Sequence, residues 1–330
     1  MKILVIGNPQ RYEKFSPGEE IIGRYDVVYC PVGSEDEELL RAGGDADVIL
    51  ADAISGVSAY VIDRMPNLKM IHSEGVAYNK IDVRAASDKK IYVCNNKGGN
   101  AAAVAEQAVL LMLGLLRTVV PGHEAVLAGR QIERKEHLMV KGITDLADCA
   151  VGLLGMGDIA KATAARLHAF GCQCFYYTKH RKEASLEQEL HLTYKPLDEL
   201  LPMCDIVSLH MAVNDETVGF MNAARFSQMK RGAYIVNTGR GELIDNDALC
   251  KALEVGTLAG AGLDTVFPEP VQKENPVVKF AEDNPGKILF SPHIGGVTTG
   301  SFKRMHRHMW ENVRRIEFGE KPDCVVNDIV

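Results

Sequence analysis

The sequence predicts an α/β protein built from two parallel-sheet domains. Short apolar segments with strand character alternate with helical patterns along most of the chain, and this alternation is typical of parallel sheets with crossover helices. A glycine-rich strand-to-helix turn appears only near residue 155, after one complete series of strands. The 330 residues are enough for about two domains that each bury a core.

Composition and charge are those of an ordinary globular protein, with 46% apolar and 25% charged residues. The net charge of −7 argues against nucleic acid or an anionic membrane surface as a partner. The N-terminal apolar run is too short for a signal segment, and no run approaches the ~18 apolar residues of a membrane span. We therefore expect a cytoplasmic protein with neither nucleic acid nor membrane as a partner.

The eight cysteines are scattered, and most of them lie inside apolar runs. No Cys-x-x-Cys pair occurs, and Cys172 and Cys174 are two residues apart on a predicted strand. Reduced, buried thiols therefore fit better than a disulfide framework or a zinc site, and no metal is expected.

The first series of strands lies within the first 100 residues. Ser34 caps a helix with an acidic first turn, and a second helix, 60–65, ends before Pro66. Strands are predicted at Lys2–Ile6, 26–29, Val48–Ala51, Met70–Ser73 and 91–94.

Two glycine-containing loops in this first domain, 72–78 and 95–100, follow predicted strands. Both therefore lie at the carboxyl ends of parallel strands, where open α/β sheets bind ligands. The backbone N–H groups of Glu74, Gly75 and Val76 could form an anion-binding nest. The alternative is that both loops are plain connecting turns.

A strongly apolar helix is predicted at Ala101–Leu116, directly after its cap, Asn100. Apolar side chains lie on nearly every side of this helix, so we expect it to be buried at the domain junction or against another subunit. The next segment, 118–147, has little strand pattern and several charges. We interpret it as an arm on the surface.

The glycine-rich turn has the pattern of a dinucleotide-binding turn. It reads Gly155-x-Gly157-x-x-Ala160 and follows an apolar strand, 151–154. The first glycine permits the tight turn, the second lets a pyrophosphate approach the backbone, and the small third residue lets the helix pack on the strand. The helix N-terminus then faces the phosphates, and the next strand, Gln173–Tyr177, ends where a ribose would sit. A purely structural turn is the alternative.

Strands and helices continue to alternate after this βαβ unit. The predicted strands are Ile206–Leu209, Ala233–Asn237, Leu258–Leu263 and Ile288–Phe290, and the predicted helices are 196–201, 222–229, 243–253 and 298–318.

Polar residues follow the last three of these strands, and they are Arg240, Asp264 and His293, with Glu269 in the loop after Asp264. The carboxyl ends of parallel strands share one edge, so we expect these residues to converge on one crevice. Arginine holds a carboxylate bidentately, histidine transfers protons near neutral pH, and a glutamate paired with that histidine fixes its tautomer. Beside a nicotinamide, such a set suits reduction of a 2-oxo acid. Singly, each residue could instead be a loop salt bridge, a solvated charge or a core histidine.

At these residues the sequence resembles the D-isomer-specific 2-hydroxyacid dehydrogenases, the family of phosphoglycerate dehydrogenase, D-lactate dehydrogenase and glyoxylate/hydroxypyruvate reductase. The resemblance covers nearly the whole chain. Its motifs are Gly75-Val-Ala-Tyr-Asn-Lys-Ile-Asp82, Ala103-Val-Ala-Glu106, the turn 155–160, Asn237-Thr-Gly-Arg-Gly241, Gly262-Leu-Asp-Thr-Val-Phe-Pro-Glu-Pro270 and Ser291-Pro-His-Ile-Gly-Gly296.

The resemblance implies an NAD(P)-binding Rossmann domain, 100–291, inserted into a substrate domain formed by 1–99 and 292–330. Both domains would be Rossmann-like or flavodoxin-like parallel sheets. The family dimerises through the helix and arm that match 101–147, so a homodimer is expected. The implied reaction is hydride transfer between NAD(P)H and C2 of a small 2-oxo or 2-hydroxy acid.

The resemblance also implies the site residues. Arg240, Glu269 and His293 match the catalytic positions, and Arg240 and His293 would also bind substrate. The substrate carboxylate would be held by backbone at Gly75 and Val76, beside an unusual acidic neighbour, Glu74. The expected coenzyme-binding residues are Gly155, Met156, Gly157, Asp158, Ile159, Thr178, Lys179, His180, Arg181, His210, Thr217, Thr238 and Asp264.

Position 178 departs from the family's commoner pattern, because many members carry Asp where this chain has Thr178. That Asp accepts hydrogen bonds from the ribose hydroxyls and repels a 2′-phosphate. Here Lys179, His180, Arg181 and Lys182 follow instead. We therefore expect NADP(H) to be preferred, with NAD(H) possible, while a solvated basic loop is the alternative.

Two other functions are compatible with the same motifs. A dinucleotide-sensing binding protein, like the corepressors related to this family, would keep the Arg–Glu–His set. Related phosphite or formate dehydrogenases act on other small anions. The absence of a basic patch favours an enzyme over the corepressor-like binding protein.

Overall fold

The computed structural model describes residues 1–327 and 329 and divides the chain into two compact units. Unit 1 contains Met1–Asn100 and Val297–Val330, and unit 2 is Ala101–Gly296. The chain therefore returns from unit 2 to unit 1 after Gly296. The resemblance places this domain boundary after residue 291. The difference arises because Asp264 of unit 2 binds the backbone of the segment up to Gly295. Positions 328 and 330 of the predicted return segment lie outside the described residues.

The strands are, in chain order, β1 (Lys2–Ile6), β2 (Asp26–Cys30), β3 (Val48–Ala51), β4 (Met70–Ser73), β5 (Tyr92–Cys94), β6 (Ala150–Leu154), β7 (Gln173–Tyr177), β8 (Leu192–Tyr194), β9 (Ile206–Leu209), β10 (Ala233–Asn237), β11 (Leu258–Leu263) and β12 (Ile288–Phe290). The helices are α1 (Pro9–Phe15), α2 (Glu19–Ile22), α3 (Asp36–Gly43), α4 (Ala59–Arg64), α5 (Val83–Asp88), α6 (Ala101–Leu116), α7 (Val119–Leu127), α8 (Gln131–Lys141), α9 (Asp158–Ala169), α10 (Ala184–Glu189), α11 (Leu197–Met203), α12 (Ala223–Gln228), α13 (Asn246–Glu254), α14 (Pro276–Asp283) and α15 (Thr299–Glu317). Short 3₁₀ helices lie at Leu146–Asp148 and Gly241–Leu243.

Unit 1 contains a five-stranded parallel sheet in the order β2-β1-β3-β4-β5. Alternate residues of β1 face opposite sides of the sheet. Leu4 and Ile6 pack with residues of α3, α4 and α5, whereas Ile3 and Val5 pack with residues of α1 and α15. This is the flavodoxin-like strand order, with helices on both faces.

Unit 2 contains a seven-stranded sheet in the order β12-β11-β10-β9-β6-β7-β8, and all its strands are parallel. Helices α6 and α9 cover one face, and α11 to α14 cover the other. The strand order reverses between β6 and β9, which is the ligand-binding position of a Rossmann sheet. The prediction of two parallel-sheet α/β domains is confirmed.

The apolar helix α6 is buried within its own unit. It packs against α9 and against β10, β11 and β12. Most of its apolar surface is therefore covered within unit 2, while Leu110 remains exposed.

The arm after α6 consists of the helices α7 and α8. No described residue of α8 is buried, and Ala125 is the buried residue of α7. In the described part of the chain, no single helix is long and apolar enough to cross a membrane. Helices α6 and α7 pass that test of length and composition only as a pair, bent by 57°.

Candidate active site

Gly155 makes the tight turn between β6 and α9 with a left-handed backbone, at φ +101°. Its N–H donates to the carbonyl of Tyr177 at 2.9 Å, which ties the turn to the end of β7. A Cβ at this position would lie 2.5 Å from the carbonyl oxygen of His210. The chain after β9 therefore leaves no room for a side chain here, as the first glycine of a dinucleotide turn requires.

Gly157 is the N-cap of α9, and no described atom lies within 4 Å of the place that its Cβ would occupy. Asp158 and Ile159 form the first helical turn, whose leading N–H groups have no intrahelical partner. Met156 is buried in the core, so only its backbone faces the turn. The turn thus offers open space and free donors where the resemblance places a pyrophosphate.

Two buried polar atoms near the ends of neighbouring strands have no hydrogen-bond partner among the described residues. They are Nδ1 of His210, after β9, and Oγ1 of Thr238, after β10. Burial lowers the pKa of His210 to about 4, so its ring is neutral at pH 7. Since buried polar groups normally have partners, these two atoms and the open turn fit a dinucleotide bound at this edge of the sheet.

Two threonines of the expected coenzyme site are bound within their own loops. The hydroxyl of Thr178, directly after β7, donates to the carbonyl of His180 at 2.6 Å. The hydroxyl of Thr217 accepts from the N–H of Asn214 at 2.8 Å and donates to the carbonyl of Ala212 at 2.8 Å. Both hydroxyls therefore shape the loops that carry them.

The cations after β7 are also paired. Lys179 binds Glu216 at 2.9 Å in an exposed ion pair. Arg181 binds the two oxygens of Glu187 at 2.8 and 2.7 Å. These bonds, together with one from the hydroxyl of Tyr176, lower the pKa of Glu187 to about 2. Arg181 is thereby oriented, while its side chain stays 62% exposed.

His293 and Glu269 are hydrogen-bonded, with Nδ1 of the ring 2.6 Å from Oε1 of the carboxylate. His293 has a left-handed backbone, at φ +54°, which is uncommon for a residue with a side chain. Its N–H donates to the carbonyl of Asp264 at 2.9 Å. Since a carboxylate can only accept, Nδ1 carries a proton, and Nε2 bonds to no described group.

Asp264 holds the loop that carries His293. Its buried carboxylate accepts from the hydroxyl of Ser291 at 2.5 Å, from the N–H of Ile294 at 3.0 Å and from the N–H of Gly295 at 2.8 Å. The resemblance places this residue near the nicotinamide. In unit 2 its carboxylate is occupied by the loop, so its clearest effect is to fix the backbone of His293.

Arg240 lies in the turn between β10 and the 3₁₀ helix Gly241–Leu243. Asn237 shapes this turn, because its Nδ2 donates to the carbonyl of Arg240 at 2.8 Å and its Oδ1 accepts from the N–H of Gly239 at 3.0 Å. One guanidinium nitrogen, Nη1, donates to the carbonyl of Gly239 at 2.8 Å. The other N–H groups of the guanidinium have no partner among the described residues.

The sheet register brings these residues to one edge of unit 2. Asn237 pairs with Leu263, and Leu263 pairs with Phe290, so β10, β11 and β12 end at the same level. Arg240, Asp264 and His293 follow those ends, as the sequence analysis expects.

The predicted substrate loop lies in unit 1, after β4. The carboxylate of Glu74 is 4% exposed and is bound by Arg11 and by Nε2 of His306. The side chain of Glu74 therefore faces the interior of unit 1. The N–H of Gly75 donates to Oγ of Ser73 at 3.3 Å, whereas those of Val76, Ala77 and Tyr78 donate to no described group.

Sequence reasoning missed several residues that hold the site. Gln107 of α6 donates to the hydroxyl of Ser291 at 2.9 Å, next to Asp264. Asn246 and Asn275 both donate to the carbonyl of Phe267, at 2.7 and 3.0 Å, two residues before Glu269. The sequence around each of these side chains contains no pattern that would predict its hydrogen-bond partner. No group of three or more metal-binding side chains occurs among the described residues.

Comparisons with known proteins agree with this geometry. The profile of the D-isomer specific 2-hydroxyacid dehydrogenase, NAD binding domain, matches residues 109–295. The chain is similar to a glyoxylate reductase of Thermofilum pendens, with 35% identity over 88% of this chain and 84% of the relative. It is also similar to a glyoxylate reductase of Korarchaeum cryptofilum, with 33% identity over 87% of this chain and 84% of the relative.

Among solved structures, a glyoxylate reductase from Paecilomyes thermophila superimposes with a TM-score of 0.81 and 30% identity, over 97% of both chains. The matched profile contains the glycine turn and the strand ends with Arg240, Asp264, Glu269 and His293. This chain belongs to the D-isomer-specific 2-hydroxyacid dehydrogenases, which transfer a hydride between NAD(P)H and C2 of a 2-oxo acid.

Proposed function

We propose that this dehydrogenase reduces a small 2-oxo acid of the glyoxylate class, with Arg240, Glu269 and His293 as its catalytic residues. The observation that carries the proposal is the 2.6 Å contact between Nδ1 of His293 and Glu269, at the same sheet edge as Arg240. The relatives named as glyoxylate reductases support the substrate class.

His293 is the proton donor in this proposal. The coenzyme, when bound, supplies the hydride. Glu269 engages the proton on Nδ1, so the proton available to a substrate is the one on Nε2. In reduction that proton moves to the oxygen on C2, and in oxidation Nε2 takes the hydroxyl proton back. Glu269 holds the tautomer and stabilises the positive charge of the protonated ring.

Arg240 is the proposed carboxylate ligand of unit 2. A guanidinium is planar, permanently charged and able to bind a carboxylate through two parallel N–H groups. Only Nη1 of Arg240 is used by its own loop, which leaves donors for the substrate. In unit 1 we assign carboxylate binding to the free N–H groups of Val76 and Ala77. Unit 1 is then the substrate domain and unit 2 the coenzyme domain.

We further propose a preference for NADP(H). Position 178 carries no carboxylate that would repel a 2′-phosphate, and Thr178 is followed by four residues that are basic or can become so. Arg181 supports the proposal because Glu187 already orients its exposed guanidinium. The ion pair of Lys179 is exposed, so exchanging its carboxylate partner for a phosphate costs little.

The arm supports a homodimer. Large apolar side chains of α7 and α8 are exposed although their helices carry almost no buried residue: Val119, Val126, Leu127, Ile132, Met139 and Val140. An apolar set of this kind on an arm marks a protein interface. Sedimentation should show a species of about twice the 36.1 kDa chain mass at micromolar concentration. A single species of chain mass would contradict the dimer.

Initial rates test the reaction and the coenzyme choice together. Glyoxylate, hydroxypyruvate, pyruvate and a branched 2-oxo acid would each be reduced with NADH and with NADPH. The proposal expects the highest kcat/KM with a small 2-oxo acid and NADPH. No turnover of any 2-oxo acid with either coenzyme would contradict the reductase, and a higher kcat/KM with NADH would contradict only the coenzyme choice.

A further inference from the structure

A buried ion network lies directly behind the substrate loop of unit 1. Nε of Arg11 donates to Oε1 of Glu74 at 2.9 Å, and Nη2 donates to Oε2 at 2.5 Å. The same Nη2 reaches Asp52 at 2.5 Å. From α15, Nε2 of His306 lies 2.8 Å from Oε1 of Glu74. The network thus joins α1, the chain after β3, the substrate loop and the C-terminal helix.

These contacts neutralise the negative charge of Glu74, which lies beside the predicted anion-binding loop. A carboxylate next to an anion-binding loop repels the anion, and a buried carboxylate without partners is costly. Burial works against the charge of Arg11, yet Glu74 and Asp52 outweigh it and raise the pKa of the guanidinium. Arg11 therefore stays a cation and neutralises Glu74 in place.

The backbone of the loop is held separately. The carbonyl of Glu74 accepts from Nδ2 of Asn96 at 2.8 Å, and Oδ1 of Asn96 is held by Nδ1 of His308 at 2.8 Å. His308 lies two residues after His306 on α15. Helix α15 therefore contacts the side chain of Glu74 directly and its carbonyl through Asn96.

Gly75, next along the loop, lies so close to the chain after β3 that a side chain would not fit there. A Cβ on Gly75 would lie 2.7 Å from Cβ of Ala53. Fixed on this side and at Glu74, the loop presents the N–H groups of Val76 and Ala77 without any described partner.

We propose that Arg11, Glu74 and His306 are positioning residues for the substrate: their network fixes the loop so that the N–H groups of Val76 and Ala77 bind the substrate carboxylate. The inference rests on the proposed function. It assigns the acidic residue of the loop to a structural pair with Arg11, and removes it from the residues that touch the substrate.

Glu74→Gln tests this with a change of almost no volume. The substitution replaces the carboxylate that binds Arg11 and His306 with a neutral amide. The loop is then held less rigidly. We expect KM for the 2-oxo acid to rise about tenfold, as for the loss of one charge-assisted hydrogen bond. The kcat at saturation and the KM for coenzyme should stay within about twofold, because the coenzyme turn and His293 lie in unit 2. Glu13→Gln, on the exposed side of α1, removes the same charge outside the network and should change nothing.

Variants of Arg11 distinguish the positioning of the loop from a simple effect of net charge on substrate binding. Arg11→Met leaves buried Glu74 and half-buried Asp52 without their cation and should raise KM further than Glu74→Gln does. Adding Glu74→Gln to Arg11→Met should then recover part of the loss. Arg11→Lys, which keeps the charge without the two-pronged geometry, should fold and give an intermediate KM.

Binding of oxamate, an unreactive analogue of a 2-oxo acid, supplies a readout that does not depend on turnover. Its Kd, measured by calorimetry on the protein saturated with coenzyme, should rise in the same order as KM. An unchanged KM and Kd in Glu74→Gln and Arg11→Lys would overturn the proposal. So would an equal rise in the KM values of oxo acid and coenzyme, because that marks general loosening. Should the unaltered enzyme turn over no 2-oxo acid, the reductase would fail, while oxamate binding would still decide the role of the network.

Discussion

At the level of single residues, the position of His293 depends on its backbone more than on its ring. The left-handed backbone turns the chain after β12, and Asp264 secures that turn through three accepted hydrogen bonds. The ring then meets Glu269 at 2.6 Å. A residue held in a sparsely populated conformation by its surroundings is typical of catalytic positions.

His293→Ala should lower kcat by about 10²–10⁴, because it removes the proton donor but leaves the proposed binding groups intact. Glu269→Gln, which keeps a partner for Nδ1 but removes the negative charge, should lower kcat by a smaller factor. Steady-state rates with saturating coenzyme measure both. A His293→Ala enzyme that keeps its kcat across pH would show that another group donates the proton.

The proposed preference for NADP(H) depends on the absence of a carboxylate at position 178. Thr178→Asp introduces a carboxylate that repels a 2′-phosphate and accepts from the ribose hydroxyls. Two charge-assisted contacts at ~1.5 kcal/mol each correspond to about a hundredfold change in the ratio of kcat/KM values for NADPH and NADH. Thr178→Asn, the neutral counterpart of the same size, should move that ratio little. Equal effects of Asp and Asn would mean that charge at position 178 plays no part.

At the level of elements, the loop between β11 and α14 is exposed from Phe267 to Glu274, although it carries Glu269. Two amides hold it: Asn246, at the start of α13, and Asn275, the N-cap of α14, both donate to the carbonyl of Phe267. Gly241, next to Arg240, packs so closely on the backbone of Phe267 that no Cβ would fit. The loops that carry Arg240 and Glu269 therefore pack directly against one another.

Asn246→Ala removes one of these donors without disturbing a helix cap, because Asp245 caps α13. Loss of a hydrogen bond worth ~1 kcal/mol should lower kcat by up to about fivefold while the KM for coenzyme stays unchanged. Adding Asn275→Ser, which keeps an oxygen for the α14 cap, should lower kcat further. Asp247→Ala, one residue along, serves as the control. A double variant with unaltered kcat would show that Gly241 alone holds the loop.

Sequence patterns predicted the strands of the site well and the contacts between its loops poorly. The bounds of β10, β11 and β12 agree with prediction because each is a largely apolar run that is followed directly by a polar residue. The edge strand β8 was missed, since Leu192-Thr-Tyr194 contains a polar residue and forms no continuous apolar run. The pairs Glu74–His306 and Asn246–Phe267 join distant chain segments. Such contacts depend on loop conformation, which no local pattern encodes.

At the level of the whole molecule, each unit buries histidine that stays neutral in the fold. In unit 1, burial lowers the pKa of His72 to about 3, and burial also lowers the pKa of His308. In unit 2, burial lowers the pKa of His210 to about 4. Such a group is protonated in the unfolded chain near pH 6.5 but not in the folded one. The stability that it contributes is therefore complete above pH 6.5 and is lost as the pH falls below that value.

We accordingly expect thermal stability to decline between pH 6.5 and pH 5, above the range in which carboxylates begin to gain protons. Each such histidine should lower the free energy of unfolding by ~1.4 kcal/mol per pH unit. At about 2–4 °C per kcal/mol for a domain of this size, each such histidine should lower Tm by about 4–8 °C over that window. His72→Gln should flatten this slope for unit 1, whatever its effect on Tm at pH 7, because the glutamine cannot titrate. His137→Gln, at an exposed position on α8, should keep the full slope. Calorimetric scans would measure Tm against pH for the unaltered protein and the two variants. The same slope of Tm in all three would mean that buried His72 does not govern the loss of stability in acid.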